Sequence, residues 1–316
     1  MLFNSKMSKA ITSVTSESGS RLYNSPKTGN NYPSVTTVIS KFEDKRWLRE
    51  WKENNQDSQQ QSKHFSSQGT RIHSCIEHFM KSPNRTWDFS KYEQDEKIDA
   101  ELVEDIKLRS FAFEPFLLRT DLISSEEKVI WERPTSYGGW IGFGGTPDYE
   151  GFIKDASFLI DVDTQESLDL SGFFIADFKN WRKKKAAADC IKPCLQLAAY
   201  AAAINANRTE QNSIRHGFIL GSSVSEVKKI PSLQIFYIDL EKLDFYWSVF
   251  FEFLKLYNGL ESSVTWPKFK AKAVGYFLEG KDEETGKNIW GKLDENYLPQ
   301  RLALTQGSEE KTTIDL

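Results

Sequence analysis

The chain has 316 residues and a formal net charge of −4 at pH 7, with 39% hydrophobic and 27% charged residues. These proportions are ordinary for a globular protein, and the length allows a large core in one elaborated domain or two. The negative charge argues against a protein that coats DNA. No apolar run reaches membrane-span length, and three cysteines exclude a secreted disulfide framework.

The N-terminal segment, residues 1–20, is predicted to be a loose, disordered tail. It carries Lys, Ser and Thr and has no acidic residue before Glu17, a composition that mitochondrial transit peptides share. Because no amphipathic, arginine-bearing face is evident, the tail is the preferred interpretation and the transit peptide is the alternative.

The region before residue 120 is predicted to be mainly helical. Its elements are one or two short strands within residues 21–40, an amphipathic helix over 45–54, a polar connection over 54–67, a helix over 68–80 and a long helix over 92–116. In the helix over 68–80, apolar positions recur at helical spacing, and His73 shares a face with Glu77. A lone helical histidine is more often structural than functional.

Two carboxylates and a lysine stand in the order that a metal-dependent phosphodiesterase needs. Asp148 ends a predicted glycine-rich turn over residues 142–148. Asp177 and Lys179 lie in a predicted strand, whose period of two places both on one side and Phe178 on the other. Two converging carboxylates would hold a divalent cation, and the lysine would orient or deprotonate a water.

The alternative is that these residues form an ordinary solvated face, since Asp-x-Lys is common on strands and Pro-Asp is a turn signal. Asp177 differs because apolar residues precede it, and a charge in an apolar run is costly unless it is paired or metal-bound. Asp161 and Asp163 follow a similar apolar run but have no lysine two residues on, so they are poorer candidates.

The remaining elements are predicted to complete a sheet with helices. They are a hairpin from residues 129–131 and 140–142, a helix over 194–204, strands over 216–221 and 234–238, a helix over 240–256 and a peripheral tail over 281–316. Gln196 and Tyr200 share one stripe of the helix over 194–204, whose alanines allow close packing on a sheet.

A basic run follows the predicted catalytic strand directly. It consists of Trp181, Arg182, Lys183, Lys184 and Lys185. Its cations suit phosphate groups and its indole suits stacking on a base. A solvated charge run is the usual explanation of such a tract, but the position just after Lys179 favours contact with DNA.

The ordered set of these motifs resembles a known nuclease family. Gly-x-x-x-His ending at His73, Gly-x-x-Asp ending at Asp148, Asp-x-Lys and Gln-x-x-x-Tyr follow the order of the RecB-like branch of the PD-(D/E)XK nuclease superfamily. Within that branch, the chain is most similar to the mitochondrial genome maintenance exonuclease family and its phage and bacterial relatives. Tyr-Pro-Ser-Val-Thr at 32–36 and Trp-Lys at 51–52 add to the likeness, which covers residues 21–220.

The resemblance implies an α/β fold with a PD-(D/E)XK, restriction-endonuclease-like core, in which a central mixed sheet is flanked by helices and carries an N-terminal helical insertion. It implies a single nuclease domain over residues 21–280, made of a helical region over 41–120 and a catalytic core over 121–260. The helices of residues 45–116 would form an arch over the site that admits single strands and excludes duplex.

The resemblance also assigns roles by position. Asp148 and Asp177 are the implied metal-binding carboxylates, and Lys179 is the implied catalytic lysine. His73 is an additional metal ligand, and the carbonyl of Phe178 completes the set around Mg²⁺ or Mn²⁺. No iron–sulfur cluster is expected, because three cysteines cannot supply four ligands.

Four more residues are implied to contact the nucleic acid. Ser34 and Thr36 would line the phosphate path, and Gln196 and Tyr200 would flank the site and steer the strand. The spacer before Asp177 departs from the family pattern, since it is long and carries the acidic stretch 161–169. This indicates an inserted hairpin or loop and leaves open which strand lies next to Asp148.

The sequence therefore predicts a Mg²⁺- or Mn²⁺-dependent deoxyribonuclease that hydrolyses phosphodiester bonds from the ends of single-stranded DNA in replication, repair or recombination. One alternative is a duplex endonuclease or junction resolvase on the same core. Another is a catalytically silent module that binds DNA ends. DNA is the expected partner, with replication or recombination proteins and no membrane. The expected location is a bacterial or phage-infected cytoplasm, and the mitochondrial matrix is the alternative.

Overall fold

A seven-stranded mixed sheet, flanked by helices, organises the chain. The computed structural model describes residues 10–16, 20–42, 58–225, 227–260, 276–281, 288–292 and 297–304. Among these, no helix is long and apolar enough to cross a membrane. The predicted helix over 45–54 lies outside the described residues.

Three short antiparallel strands and a helix begin the described chain. They are β1 Thr12–Thr15, β2 Arg21–Asn24, β3 Asn31–Pro33 and α1 Val35–Phe42. Strand β1 lies in the segment expected to be a loose tail, so that prediction is wrong for residues 12–15. Helix α1 replaces the extended conformation that its β-branched residues favour. The Ser34 hydroxyl caps it by accepting from the Thr37 N–H at 3.0 Å, and its apolar face is buried.

Four helices follow and pack against one face of the sheet. They are α2 Ser58–Lys81, α3 Ser90–Glu93, α4 Ala100–Phe111 and α5 Glu114–Leu117. The polar connection predicted over 54–67 is wrong from residue 58 onward, because α2 begins there. The predicted long helix over 92–116 is broken into pieces, and the Asp99 carboxylate caps α4 by accepting from the Leu102 N–H at 2.7 Å. The described helices form a packed layer, residues 45–57 of the expected arch lie outside the described residues, and the arch stays a prediction.

The strands of the central region comprise a separate hairpin and the large sheet. In chain order they are β4 Asp121–Ser124, β5 Val129–Pro134, β6 Trp140–Gly145, β7 Tyr149–Ile153, β8 Leu159–Asp161, β9 Gly172–Asn180, β10 Ile214–Val224 and β11 Pro231–Ile238. Strands β5 and β6 pair with each other, which confirms the predicted hairpin. Residues 142–145, with their glycines, belong to β6, so the predicted glycine-rich turn over 142–148 is wrong there, and residues 146–148 alone connect β6 to β7.

The large sheet has the strand order β4-β7-β9-β10-β11-β14-β8, where β14 is Gln300–Leu304. Strands β9 and β10 are parallel, and the other neighbours are antiparallel. The predicted peripheral tail is therefore wrong for β14, whose Leu302 is buried in the sheet. A second hairpin, β12 Tyr276–Lys281 with β13 Asn288–Lys292, precedes it.

Two further helices cover the opposite face of the sheet. They are α6 Ile191–Asn205, preceded by a 3₁₀ turn at Ala187–Cys190, and α7 Leu240–Tyr257; a second 3₁₀ turn spans Glu210–Asn212. Ile175 of β9 packs in the core with α6 and α7, whereas Phe174 and Phe178 pack in the core with α2. The predicted alternation along β9 is thus confirmed, and Asp177 shares the α6 side.

Candidate active site

Asp148 and Asp177 meet across the pairing of β7 with β9. Tyr149 pairs with Ala176 in antiparallel register, so the residue that precedes β7 stands opposite Asp177. The Asp148 Oδ2 atom also accepts a hydrogen bond from the Phe178 N–H at 2.8 Å. This answers the question left by the long spacer: β9 is the strand next to Asp148. The spacer itself runs to the far edge of the sheet, where it forms β8 and a tight loop.

Lys179 is paired with Asp177. Its Nζ atom lies 2.8 Å from Oδ1 and 2.6 Å from Oδ2 of that carboxylate, as expected for residues two apart on one strand face. Asp177 is only 2% exposed, and its burial raises the pKa of its carboxyl although the Lys179 ammonium opposes the shift. Burial opposes the charge on Lys179 too, but the carboxylates of Asp177 and Asp148 outweigh it and raise the pKa of the ammonium.

His73 reaches the same place from α2. Its Nε2–H donates to the Phe178 carbonyl at 3.0 Å, which leaves Nδ1 facing the Asp148 Oδ1 atom at 3.6 Å and the Glu126 Oε1 atom at 3.9 Å. Burial alone would lower the pKa of His73, but the Asp148 carboxylate, followed by Glu126, raises it to about 9. The imidazolium form offsets the charge of the two carboxylates.

Glu126 is a site residue that the sequence analysis missed. It follows β4, which lies beside β7 in the sheet, and its N–H donates to the Pro147 carbonyl at 3.1 Å. Its φ of +56° is a left-handed conformation that non-glycine residues rarely adopt, and such strain is concentrated at functional sites. The sequence carried no usable signal for Glu126, because its place depends on the pairing of β4 with β7.

A divalent cation fits this donor set. One ligand atom from each of His73, Glu126 and Asp148 lies within 4.8 Å of the others. The two carboxylate oxygens suit Mg²⁺ or Mn²⁺, and the imidazole nitrogen favours Mn²⁺. The set differs from the expected one, because the Phe178 carbonyl is engaged by His73 and the Asp177 carboxylate by Lys179.

A cleft of about 440 Å³ opens beside these ligands. Most of its lining side chains are polar, and the full set is Arg21, Tyr23, Ser34, Thr36, Thr70, His73, Ser74, Glu77, Glu126, Thr146, Asp148, Gln196 and Tyr200. Four lining residues were expected to contact nucleic acid. Of these, Ser34 and Thr36 are hydrogen-bonded to each other, with their hydroxyl oxygens 3.0 Å apart. The Gln196 amide donates to the Tyr200 hydroxyl at 3.2 Å.

The glycines of β6 allow the aromatic wall of the cleft to approach. A Cβ on Gly145 would lie 2.1 Å from the Tyr200 ring, and one on Gly144 would lie 2.3 Å from the Tyr23 ring. Neither glycine has a left-handed φ, so close approach is the reason for both. These contacts fix Tyr200 and Tyr23 beside Asp148.

The basic run lies directly after β9. The Trp181 ring lies against Gly221, where a Cβ would be 2.0 Å away, and contacts Phe236 edge-on. Trp181 therefore packs on the sheet and remains partly exposed, and its stacking on a base stays a prediction. Arg182 lies over the Phe65 ring at 4.6 Å.

The three lysines of the run differ in exposure and in the hydrogen bonds of their backbone. Lys183 and Lys184 are exposed, as Arg182 is, whereas the backbone of Lys185 is fixed on both sides by the Gln234 amide. Three cations of the run are thus presented to solvent beside β9.

No protein-family model matches the chain, and no curated protein matches it either. The class of protein is therefore inferred from the fold and the geometry of the site.

We expect Glu126→Gln to weaken Mn²⁺ binding by at least ~10-fold, because the change removes a negative ligand oxygen and even supporting residues of metal sites have effects of this size. Calorimetric titration measures the affinity. Glu127→Gln is the matched control, since Glu127 is the exposed neighbour and does not line the cleft. Equal affinity in the Glu126 and Glu127 variants would remove Glu126 from the site.

Proposed function

We propose that the protein is a metal-dependent deoxyribonuclease of the PD-(D/E)XK class that hydrolyses phosphodiester bonds from the ends of single-stranded DNA. The observation that carries the proposal is the convergence of Asp148, Asp177 and Lys179 on adjacent strands, with His73 facing Asp148 at 3.6 Å. This arrangement brings together in space the motifs on which the sequence resemblance depends, and it therefore supports the proposal.

The residues of the site have separable tasks in this proposal. His73, Glu126 and Asp148 would hold Mg²⁺ or Mn²⁺, with Asp177 beside them. When bound, such a cation polarises a phosphoryl oxygen and offsets charge on the leaving oxygen. Lys179 donates to the Asp177 Oδ1 atom and lies in ionic contact with Oδ2, so its ammonium is a fixed donor that would orient the attacking water rather than a base that removes its proton.

The cleft supports a single strand as the substrate. Its volume of about 440 Å³ is typical of small-ligand sites and suits one nucleotide better than a duplex. Hydroxyl and amide groups of the lining would donate to phosphate oxygens. The preference for ends follows from the family resemblance, as do replication or recombination proteins as partners and a bacterial or phage setting.

Cleavage of end-labelled single-stranded DNA in Mg²⁺, in Mn²⁺ and in a chelator tests the proposed chemistry. We expect degradation in either metal and none in the chelator. Undiminished cleavage in the chelator would contradict the metal-dependent mechanism. Binding of DNA ends without cleavage in either metal would favour the silent end-binding module instead.

The exposed basic run is expected to bind DNA rather than to take part in chemistry. Replacing Arg182, Lys183 and Lys184 together with Gln should raise the apparent KM and leave kcat unchanged at saturating DNA. The slope of log affinity against log salt should flatten by ~0.7 for each phosphate that the variant no longer neutralises. The matched control replaces three exposed lysines elsewhere, Lys91, Lys97 and Lys154. The same salt slope in both triple variants would mean that the run is only a solvated face.

A further inference from the structure

Four polar side chains form a closed hydrogen-bonded ring between α2, α4 and the end of β9. The ring consists of Gln68, Asp105, Arg109 and Asn180, called the polar ring below. The Asn180 amide donates to the Gln68 carbonyl oxygen at 2.8 Å, and the Gln68 amide donates to the Asp105 carboxylate. Arg109 donates through Nε to the same carboxylate and through Nη1 to the Asn180 carbonyl oxygen, both at 2.7 Å.

Two members of the polar ring are buried, and the other two, Asp105 and Asn180, are partly exposed. Gln68 is 3% exposed and Arg109 is 7% exposed. Each of the two amides uses both its oxygen and its nitrogen within the ring, so neither can be reversed without breaking bonds. Side-chain networks whose donors and acceptors are matched to one another favour one arrangement of the elements that carry them. The ring therefore fixes how α2 and α4 lie against β9.

The place of the ring on these elements connects it to the candidate active site. Asn180 directly follows Lys179 on β9, and Gln68 precedes His73 by five residues on α2. The five helical residues from Gln68 to His73 span ~7.5 Å, and the two strand residues from Phe178 to Asn180 span ~6.7 Å. Because these lengths are similar, α2 and β9 can be joined at both levels. Accordingly, side chains of α2 are hydrogen-bonded to β9 at two levels, Gln68 to the Asn180 amide and His73 to the Phe178 carbonyl at 3.0 Å.

Arg109 extends the ring toward the basic run. Its Nη1 atom also donates to the Trp181 carbonyl at 2.8 Å, at the point where the chain leaves the sheet. The same guanidinium thus holds the last residue of β9 and the first residue of the run. Loss of Arg109 would remove the bonds that hold the strand end beside Lys179 and would weaken the attachment of α2 through Gln68.

We infer that Gln68, Asp105, Arg109 and Asn180 are positioning residues for the candidate metal centre, which they serve by holding α2, and with it His73, at a fixed distance from β9. This inference rests on the proposed function, because that function supplies the reason for a metal at His73. The four residues do not line the cleft, so they act through His73 and the strand end rather than through the substrate.

Arg109→Met tests the inference through metal affinity, with Arg85→Met as the matched control. Arg85 also donates its guanidinium to backbone carbonyls, those of Leu117 at 3.3 Å and Thr120 at 3.5 Å, but it contacts the helical layer and not β9. Both variants should lower the melting temperature. Only Arg109→Met should weaken Mn²⁺ binding, by ~10-fold, the lower limit found for residues that support metal ligands.

A conservative variant separates positioning from general damage. In Asp105→Asn the retained carbonyl oxygen still accepts from Arg109 and Gln68, so Mn²⁺ affinity should remain close to wild type, whereas Asp105→Leu should behave like Arg109→Met. If Arg109→Met does not fold, Gln68→Met replaces it as the test variant. Wild-type Mn²⁺ affinity in both Arg109→Met and Asp105→Leu would overturn the inference, and so would equal losses in Arg109→Met and Arg85→Met.

The metal titration also separates this inference from the proposed function. If the wild type binds Mn²⁺ and cleaves no DNA, the proposed nuclease activity fails while the comparison of affinities still decides the role of the ring. If the wild type binds no Mn²⁺ at all, the positioning role is overturned.

Discussion

Asp177→Asn is expected to lower the rate of DNA cleavage at least ~10²-fold while DNA is still bound, in line with the loss of one charge-stabilising element from a catalytic site. Asn keeps the shape of the side chain and removes its negative charge. Asp177 is 2% exposed, so its replacement removes no surface that DNA would contact. Single-turnover cleavage and equilibrium binding of the same labelled strand measure the two quantities.

Asp161→Asn is the matched control for this change. Asp161 is also buried at a strand end of the same sheet, but it lies at the far edge and accepts from the N–H groups of Asp163 and Thr164 at 2.6 and 2.8 Å. An Asn can still accept these bonds, and cleavage should be unaffected. Wild-type cleavage by purified Asp177→Asn would contradict the assignment of this carboxylate.

Lys179→Met should abolish turnover with little loss of metal affinity. An ammonium is no metal ligand, and its removal frees both oxygens of Asp177 that it now engages at 2.8 and 2.6 Å. The neighbouring carboxylate loses the cation that opposes its protonation, so the pKa of Asp177 should rise further. Calorimetry with Mn²⁺ and a cleavage assay, run on the same preparation, separate the two effects.

Lys154→Met is the control for the loss of a lysine beside this sheet. Its ammonium lies 3.1 Å from the Asp121 carboxylate, and its side chain is 78% exposed. A surface pair of this kind contributes little, so the variant should match the wild type. If Lys179→Met kept its fold but lost metal binding, Lys179 would have a structural role instead of a catalytic one.

The core of the candidate site was predictable because it depends on local rules. Period two along β9 placed Asp177 and Lys179 on one side and Phe178 on the other, as the structure has them. The helical spacing of the α2 residues placed His73 on a face that reaches the sheet edge. The order of the motifs indicated that Asp148 would join them, but which strand lies next to Asp148 came only from the structure.

The parts that the sequence did not predict depend on distant contacts. Strand β14 is short, but it pairs with both β11 and β8, and its Leu302 is buried in the sheet. Helix α1 is rich in β-branched residues, and its burial against the rest of the core overrides their preference for strands. Glu126 and the polar ring each connect elements that are far apart along the chain. Contacts of this kind leave no regular spacing in the sequence from which they could be predicted.

Trp181 shows how a neighbouring glycine changes the meaning of an aromatic residue. In the sequence it follows the predicted catalytic strand and precedes four cations, a setting that suggests stacking on a base. In the structure, Gly221 on the adjacent strand leaves the space that the indole fills. The pairing of β9 with β10 determines this packing, and that register is set by the whole sheet.

The most direct test of the central claim compares linear and circular single-stranded DNA, incubated side by side with the wild type and with Asp177→Asn in Mg²⁺ or Mn²⁺. The proposed exonuclease should degrade the linear strand, leave the circle intact and lose its activity in the variant. Rapid nicking of the circle would contradict action from ends and favour the endonuclease alternative. An intact linear strand in both metals would contradict the nuclease itself.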